Sequence, residues 1–200
     1  MKSGHIVVAI TGASGAIYGL RLIEELLSAG FRLSLLISKT GFEVLKHETG
    51  LDWVGNEAEV TRLLRDHFRE ERGVEYFAED NFFAPVASGS SVPDAMVLCP
   101  CTMGTLSRIA SGNSGNLLER SADVVLKEHR TLVLVPRETP LSDIHLENML
   151  KLSRSGARIV PAMPAFYQKP KSVNQMVDFV VGKVLDALGI EHELFRRWGN

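Results

Sequence analysis

The sequence predicts an α/β protein, a three-layer sandwich built on a parallel sheet. Short runs rich in Val, Ile and Leu alternate along the chain with amphipathic stretches of helical spacing. The apolar runs are continuous rather than alternating, as strands covered on both faces are. The stretches between them are long enough for crossover helices, which parallel pairing requires. With 200 residues and 45% apolar content, the chain reads as one domain, 1–200, with its own core.

Residues 5–10 read as a buried strand ended by Thr11-Gly12. Residues 14–29 follow as a helix with Ile17, Leu20, Ile23 and Leu27 on one face and Gly30 as its stop. A second strand is expected over 31–37 and a short helix over 40–48. A stronger helix covers 56–70, with Val60, Leu63, Leu64 and Phe68 at helical spacing, and a short strand covers 74–77. Residues 81–94, rich in Pro, Gly and Ser, are a loop. The strand 95–99 is closed by Pro100, helices are expected over 102–110 and 121–129, and the strand 131–135 is closed by Pro136. A helix over 143–155 and a strand over 157–160 follow. Residues 172–188 form the clearest helix, with Val173, Val177, Val180, Val181, Val184 and Leu185 in one stripe and Ser172 with Gln175 as a capping box. The polar tail from about 190 leaves Phe195 and Trp198 exposed, which suits packing on a neighbouring subunit.

Lys plus Arg number 22 and Asp plus Glu 24, so the net charge is −2 and nothing favours bulk binding to nucleic acid or to an anionic membrane. No apolar run approaches the roughly 20 residues that span a bilayer. The opening apolar run is too short for a signal peptide, and Gly12 ends it. Cys99 and Cys101, two apart on one strand, share a face and make a poor disulfide, so both are expected reduced, as in the cytoplasm. The six His are scattered and Cys99-Pro100-Cys101 lacks a second ligand pair, so no metal site is expected.

In open parallel sheets, ligands bind beyond the carboxyl ends of the strands. The segments there are Thr11-Gly12-Ala13-Ser14, Ser38-Lys39, Thr102-Met103-Gly104-Thr105, Arg137-Glu138-Thr139 and 161–167 with Tyr167. The first turn leads into a helix N-terminus, whose free N–H groups suit a phosphate or a carbonyl-rich ring. Several motifs fail there. Ser14 replaces the second Gly of a dinucleotide fingerprint, Ala16 replaces the last Gly of a nucleophile elbow, and Ser38-Lys39 stands where a ribose-binding acid belongs. Tyr167 and Lys171 have a dehydrogenase spacing, but Pro170 spoils the helix that pair needs. Arg137 and Glu138 read either as a ligand and acid/base pair or as a surface salt bridge. Arg120 and Lys127, seven apart, read either as two cations for one anion or as a solvated face. Ser88-Gly89-Ser90-Ser91 reads either as a phosphate-wrapping turn or as a flexible loop.

Taken in order, these segments resemble the UbiX-type flavin prenyltransferases almost end to end. The marks are Thr11-Gly12-Ala13-Ser14-Gly15-Ala16, Ile37-Ser38-Lys39, Pro85-Val86-Ala87-Ser88-Gly89-Ser90, Cys99-Pro100-Cys101-Thr102-Met103-Gly104-Thr105, Asn116-Leu117-Leu118-Glu119-Arg120, Val135-Pro136-Arg137-Glu138, His145-Leu146-Glu147-Asn148-Met149 and Arg197-Trp198-Gly199. The resemblance implies a flavodoxin-like Rossmann fold that binds FMN, assembled as a homododecamer with sites at subunit contacts. It implies metal-free transfer of a dimethylallyl group from dimethylallyl monophosphate to N5 and C6 of reduced FMN. The product is the cofactor of UbiD-type decarboxylases. By position, Gly12, Ala13, Ser14, Ser38, Thr102, Met103, Gly104, Thr105 and Arg137 match flavin contacts. Ser88, Gly89, Arg120, Lys127, Glu138 and Tyr167 match the surroundings of the prenyl phosphate. Ser14, Glu48, Glu138 and Lys127 match positions implicated in the chemistry. Lys183 stands where many members have an Arg that holds the phosphate, keeping the charge but losing the bidentate fork. Two alternatives are a flavin-dependent cysteine decarboxylase of related fold and a non-catalytic FMN carrier. The first lacks its expected middle-loop motif and its His after the first helix. The second would need no cluster for a leaving group.

Overall fold

The computed structural model describes residues 4–197. Six parallel strands form the middle layer: β1 (His5–Ile10), β2 (Arg32–Ile37), β3 (Val74–Phe77), β4 (Ala95–Cys101), β5 (Thr131–Pro136) and β6 (Arg158–Ile159). Their spatial order is β3-β2-β1-β4-β5-β6. Without the edge strand β3 this is the flavodoxin order, and in either description the winding reverses between β1 and β4. Alternate residues of β1 explain the three layers. Ile6, Val8 and Ile10 face one core, shared with α1 (Ala16–Ser28), α2 (Lys39–Thr49), α3 (Glu57–Phe68) and α7 (Val173–Leu188). Val7 and Ala9 face the other, shared with α4 (Met103–Ala110), α5 (Leu117–Lys127) and α6 (Asp143–Arg154).

Several boundaries depart from expectation for local reasons. The helix expected from residue 14 starts at Ala16, because Gly15 takes φ +110°, a left-handed conformation that glycine adopts freely. The helix expected from 121 starts at Leu117, because the Asn116 side chain accepts the Glu119 N–H as an N-cap. It ends at Lys127, before the residue 129 expected. Strand β4 runs on past Pro100 to Cys101, where it rejoins β5 at Pro136 after an irregularity in register. That irregularity puts Cys99 in one core and Cys101 in the other, so the two thiols do not share a face. Both are free and fully buried, and burial pushes the Cys101 thiol up to about 12. The Ser172 hydroxyl caps α7, but the Gln175 side chain accepts from Lys171 N–H rather than from the cap residue, so the box is half formed. Val173 is exposed; the buried stripe of α7 starts at Val177. The loop 81–94 contains two single turns of 3-10 helix, Pro85–Ala87 and Gly89–Ser91.

The tail does not stand free. Phe195 is half-buried against Phe179 of α7, ring centres 5.0 Å apart. Trp198 and Gly199 lie outside the described residues.

Candidate functional site

Four chain segments meet where the winding reverses. Thr11 is buried, and its hydroxyl donates to the Pro100 carbonyl (2.9 Å) and accepts the Thr102 N–H (2.8 Å), tying the ends of β1 and β4 together. A Cβ on Gly12 would collide with the Thr40 side chain at the start of α2, so only glycine lets that helix approach. The N-terminus of α1 is already occupied, contrary to the expectation of free donors there. The Glu48 carboxylate, from the end of α2, accepts Gly15 N–H (2.9 and 3.1 Å) and Ala16 N–H (2.9 Å). A carboxylate at this end of a helix neutralises the positive pole that a phosphate would otherwise meet. Partial burial alone would raise the Glu48 pKa. The Ser14 hydroxyl, the two N–H groups and the Arg137 charge outweigh it and hold the carboxyl below its ordinary value. Arg137, from the end of β5, donates Nε–H to the Ser14 carbonyl at 3.2 Å. Ser14, Glu48 and Arg137, distant in sequence, therefore form one knot.

Ser14 is not the helix cap, so its removal takes away a single surface hydrogen bond to Glu48 and costs less than about 1 kcal/mol. We expect Ser14→Ala to unfold at nearly the same denaturant concentration as the parent chain and to lose most of its activity. Full activity would make Ser14 a structural residue.

The end of β4 is organised by hydroxyls. Thr102 caps α4 by accepting Thr105 N–H (3.1 Å) and donates to the Thr105 hydroxyl (2.9 Å), which also accepts from Arg108 Nη2 (3.2 Å). Thr105 Oγ1 thus receives two hydrogen bonds and keeps its own proton to donate. Arg108 is held by Glu119, a buried carboxylate that also accepts from Gly115 N–H (2.9 Å) and Asn116 Nδ2 (3.2 Å). Reading by spacing misses this pair, because Arg108 and Glu119 sit on different helices. Glu119→Ala strands those donors and should lower stability by about 2–3 kcal/mol in denaturant unfolding. Ser38 caps α2 by accepting Gly41 N–H (3.0 Å), beside Thr40. Met103 is buried and Gly104 exposed at the first turn of α4.

The residues matched to a phosphate do not gather in one chain. Glu138 follows β5 and lines a cleft of about 260 Å³ with Arg137, Leu141, Met149 and Met163. Its carboxylate accepts Thr139 N–H (3.0 Å), and no ion pair joins it to Arg137. Lys127 precedes β5 and lies at the opposite, amino end of that strand. The strand's six residues put about 20 Å between the two ends. Lys127 Nζ sits 3.0 Å from Glu128, and the ends of both side chains lie against Gly89, so the Ser88-Gly89 turn meets the end of α5. Arg120, two turns back along α5, donates to the Ala87 carbonyl (3.1 Å) and pairs with Asp123. Within one chain the length of β5 separates Glu138 from Lys127. Tyr167, from the segment before α7, and Lys183, on α7, form a third group, where Tyr167 meets Phe179 of α7 edge-on at 5.8 Å. A cavity of about 880 Å³ beside α3 and β3 has walls of mixed charge and touches none of these groups.

Known proteins match this architecture closely. Residues 1–185 fit the family model described as Flavoprotein. A relative from Halalkalibacterium halodurans, named flavin prenyltransferase UbiX, is 53% identical over 98% of this chain and 94% of its own. The chain belongs to the UbiX family of flavin prenyltransferases. Among solved UbiX structures, AnUbiX (PadA1) in complex with FMN and dimethylallyl pyrophosphate superposes with a TM-score of 0.88 at 40% identity, covering 100% of this chain and 99% of that one. A dodecameric FMN-dependent UbiX-like decarboxylase from Escherichia coli gives 0.86 at 41%, covering 98% and 100%. The cypemycin decarboxylase CypD is 16% identical with a TM-score of 0.60 over 80% of this chain and 84% of its own, and shares the fold alone with this chain. The cysteine decarboxylase and carrier alternatives therefore give way to the UbiX reading. No helix among the described residues is long and apolar enough to cross a membrane.

Proposed function

We infer that this chain joins a dimethylallyl group, carried by dimethylallyl monophosphate, to reduced FMN. The observation that carries the reading is the knot of Ser14, Glu48 and Arg137 beside the hydroxyls of Thr102 and Thr105, where the sheet's winding reverses. The donor set fits a flavin. Thr105 has a proton left to give, Arg137 supplies a cation, and no carboxylate follows β2, where Ser38 caps α2 instead. Gly12, Ala13 and Gly104 keep the cradle shallow, and Met103 backs it. Reduced FMN, when bound, supplies the electron-rich N5 and C6 that accept the prenyl group.

The chain's own residues supply the rest. Breaking the donor's C–O bond leaves a phosphate that departs with the bonding electrons, and preorganised cations lower the barrier to that charge. Lys127, with Arg120, Ser88 and Gly89, makes one such group; Tyr167 and Lys183 make a second. Glu138 stands where it can pass a proton between acceptor and leaving group. These groups lie at separated edges of one chain, so a complete site needs residues from more than one copy. A homo-oligomer, as large as a dodecamer, supplies them. Protein cations then do what a metal would otherwise do. The product suits a UbiD-type decarboxylase as recipient, and the reduced, buried cysteines suit a cytoplasmic location.

Flavin absorbance tests the first half of this reading. Titration should give saturable FMN binding and no comparable NADPH binding. Tight NADPH binding without FMN binding overturns it.

A further inference from the structure

The tail crosses α7 at one glycine. A Cβ on Gly182 would collide with the Phe195 and His192 rings, so the tail lies directly on the helix backbone there. It is pinned at two places. On one side Gln168 Nε2, next to Tyr167, donates to the Arg196 carbonyl at 2.6 Å. On the other, Asp186 accepts from Arg197 Nη2 (2.8 Å), Lys183 Nζ (3.2 Å) and His192 Nε2 (3.3 Å). His192 Nδ1 accepts Leu194 N–H (3.2 Å), so its proton sits on Nε2 and the ring serves as a neutral donor.

Between these pins, Phe195 supports both residues that the proposed function assigns to the donor's phosphate. Its ring packs tilted against Phe179 with centres 5.0 Å apart, and Phe179 carries the Tyr167 ring edge-on at 5.8 Å. On the other side, Lys183 Nζ lies 5.8 Å from the Phe195 ring centre, a cation–π distance. Two permanent cations meet the single Asp186 carboxylate, so one positive charge remains for an incoming anion. A lysine cannot fix its direction with a fork as arginine does. The aromatic face and the carboxylate fix it instead.

We propose that the C-terminal tail, through Phe195 with Asp186, is a clamp that positions Tyr167 and Lys183 to receive the phosphate of the prenyl donor. This rests on the reading that those two residues meet that phosphate. Phe195 is then a positioning residue that sets donor affinity and leaves flavin affinity alone.

The test measures the dissociation constant of dimethylallyl monophosphate on the FMN-loaded full chain, together with KM and kcat. Phe195→Ala should weaken donor binding and raise its KM roughly tenfold, with FMN affinity unchanged within about twofold. Phe195→Tyr should restore the parent value. Gly182→Ala provides a second route. It favours the helix, because alanine is the better helix former, yet it lifts the tail, and it should weaken donor binding to the same degree. Parent-like donor affinity in both Phe195→Ala and Gly182→Ala overturns the clamp and leaves the proposed function standing. Failure of the unaltered chain to bind the donor at all overturns both.

Discussion

Replacing Glu48 with Gln is expected to slow flavin prenylation by about 10²–10³-fold while the chain stays folded. The Glu48 carboxylate is the centre of the strand-end knot. Both its oxygens accept bonds from the α1 N-terminus, and it binds the Ser14 hydroxyl beside Arg137. Gln keeps one acceptor but turns an NH₂ group toward donors, so at least one bond becomes a repulsion. The Ser14 hydroxyl and the first turn lose their fixed direction at the place where the flavin ring is to lie. Single-turnover product formation with reduced FMN measures the loss, and parent-like turnover contradicts the role. The same residue predicts a pH dependence. Its folded pKa is lowered, so its contribution to stability is fully present above its ordinary value of 4.5 and is lost as pH falls through the folded value. The stability difference between the parent chain and Glu48→Gln should hold steady above that value and shrink on further acidification.

The second large effect separates a site within one chain from a site shared between chains. Lys127→Ala and Glu138→Gln should each retain FMN and lose about 10²–10³ in turnover. Lys127 and Glu138 flank opposite ends of β5. If they serve one site, they come from different copies. Co-expressing the two variants in equal amounts should then rebuild roughly a quarter of the sites, because each site draws its Lys127 and its Glu138 from independently chosen copies. Turnover near a quarter of the parent value supports the shared site. Turnover no higher than that of either variant alone contradicts it.

The layer architecture was legible in the sequence because strands covered on both faces cannot hide their apolar runs, and the four buried strands β1, β2, β4 and β5 alternate with helical stripes. The strand-end rule likewise led to Ser14, Thr102, Thr105 and Arg137, which the fold does bring close together. What stayed hidden depends on three-dimensional approach. Glu48 looks bland at the end of a short helix, and its capping of a different helix 33 residues earlier has no local signature. The change of face at Cys101 follows from a register irregularity that period-two counting cannot register. The tail reads as packing on a neighbouring subunit because its polar residues outnumber Phe195, yet Gly182, at the middle of an apolar stripe, is where the tail comes close to its own helix. The distance between Lys127 and Glu138 within one chain stayed hidden as well, because nearness in sequence across a strand means separation by the strand's length.

Whether this chain prenylates reduced FMN is decided by the mass of the flavin. The chain is incubated anaerobically with reduced FMN and dimethylallyl monophosphate, and the flavin is then extracted for mass analysis. The extracted product should be heavier than reduced FMN by one prenyl group less one hydrogen, with release of one phosphate per flavin. Recovery of unaltered FMN, with no phosphate released from either the monophosphate or the diphosphate donor, would contradict it.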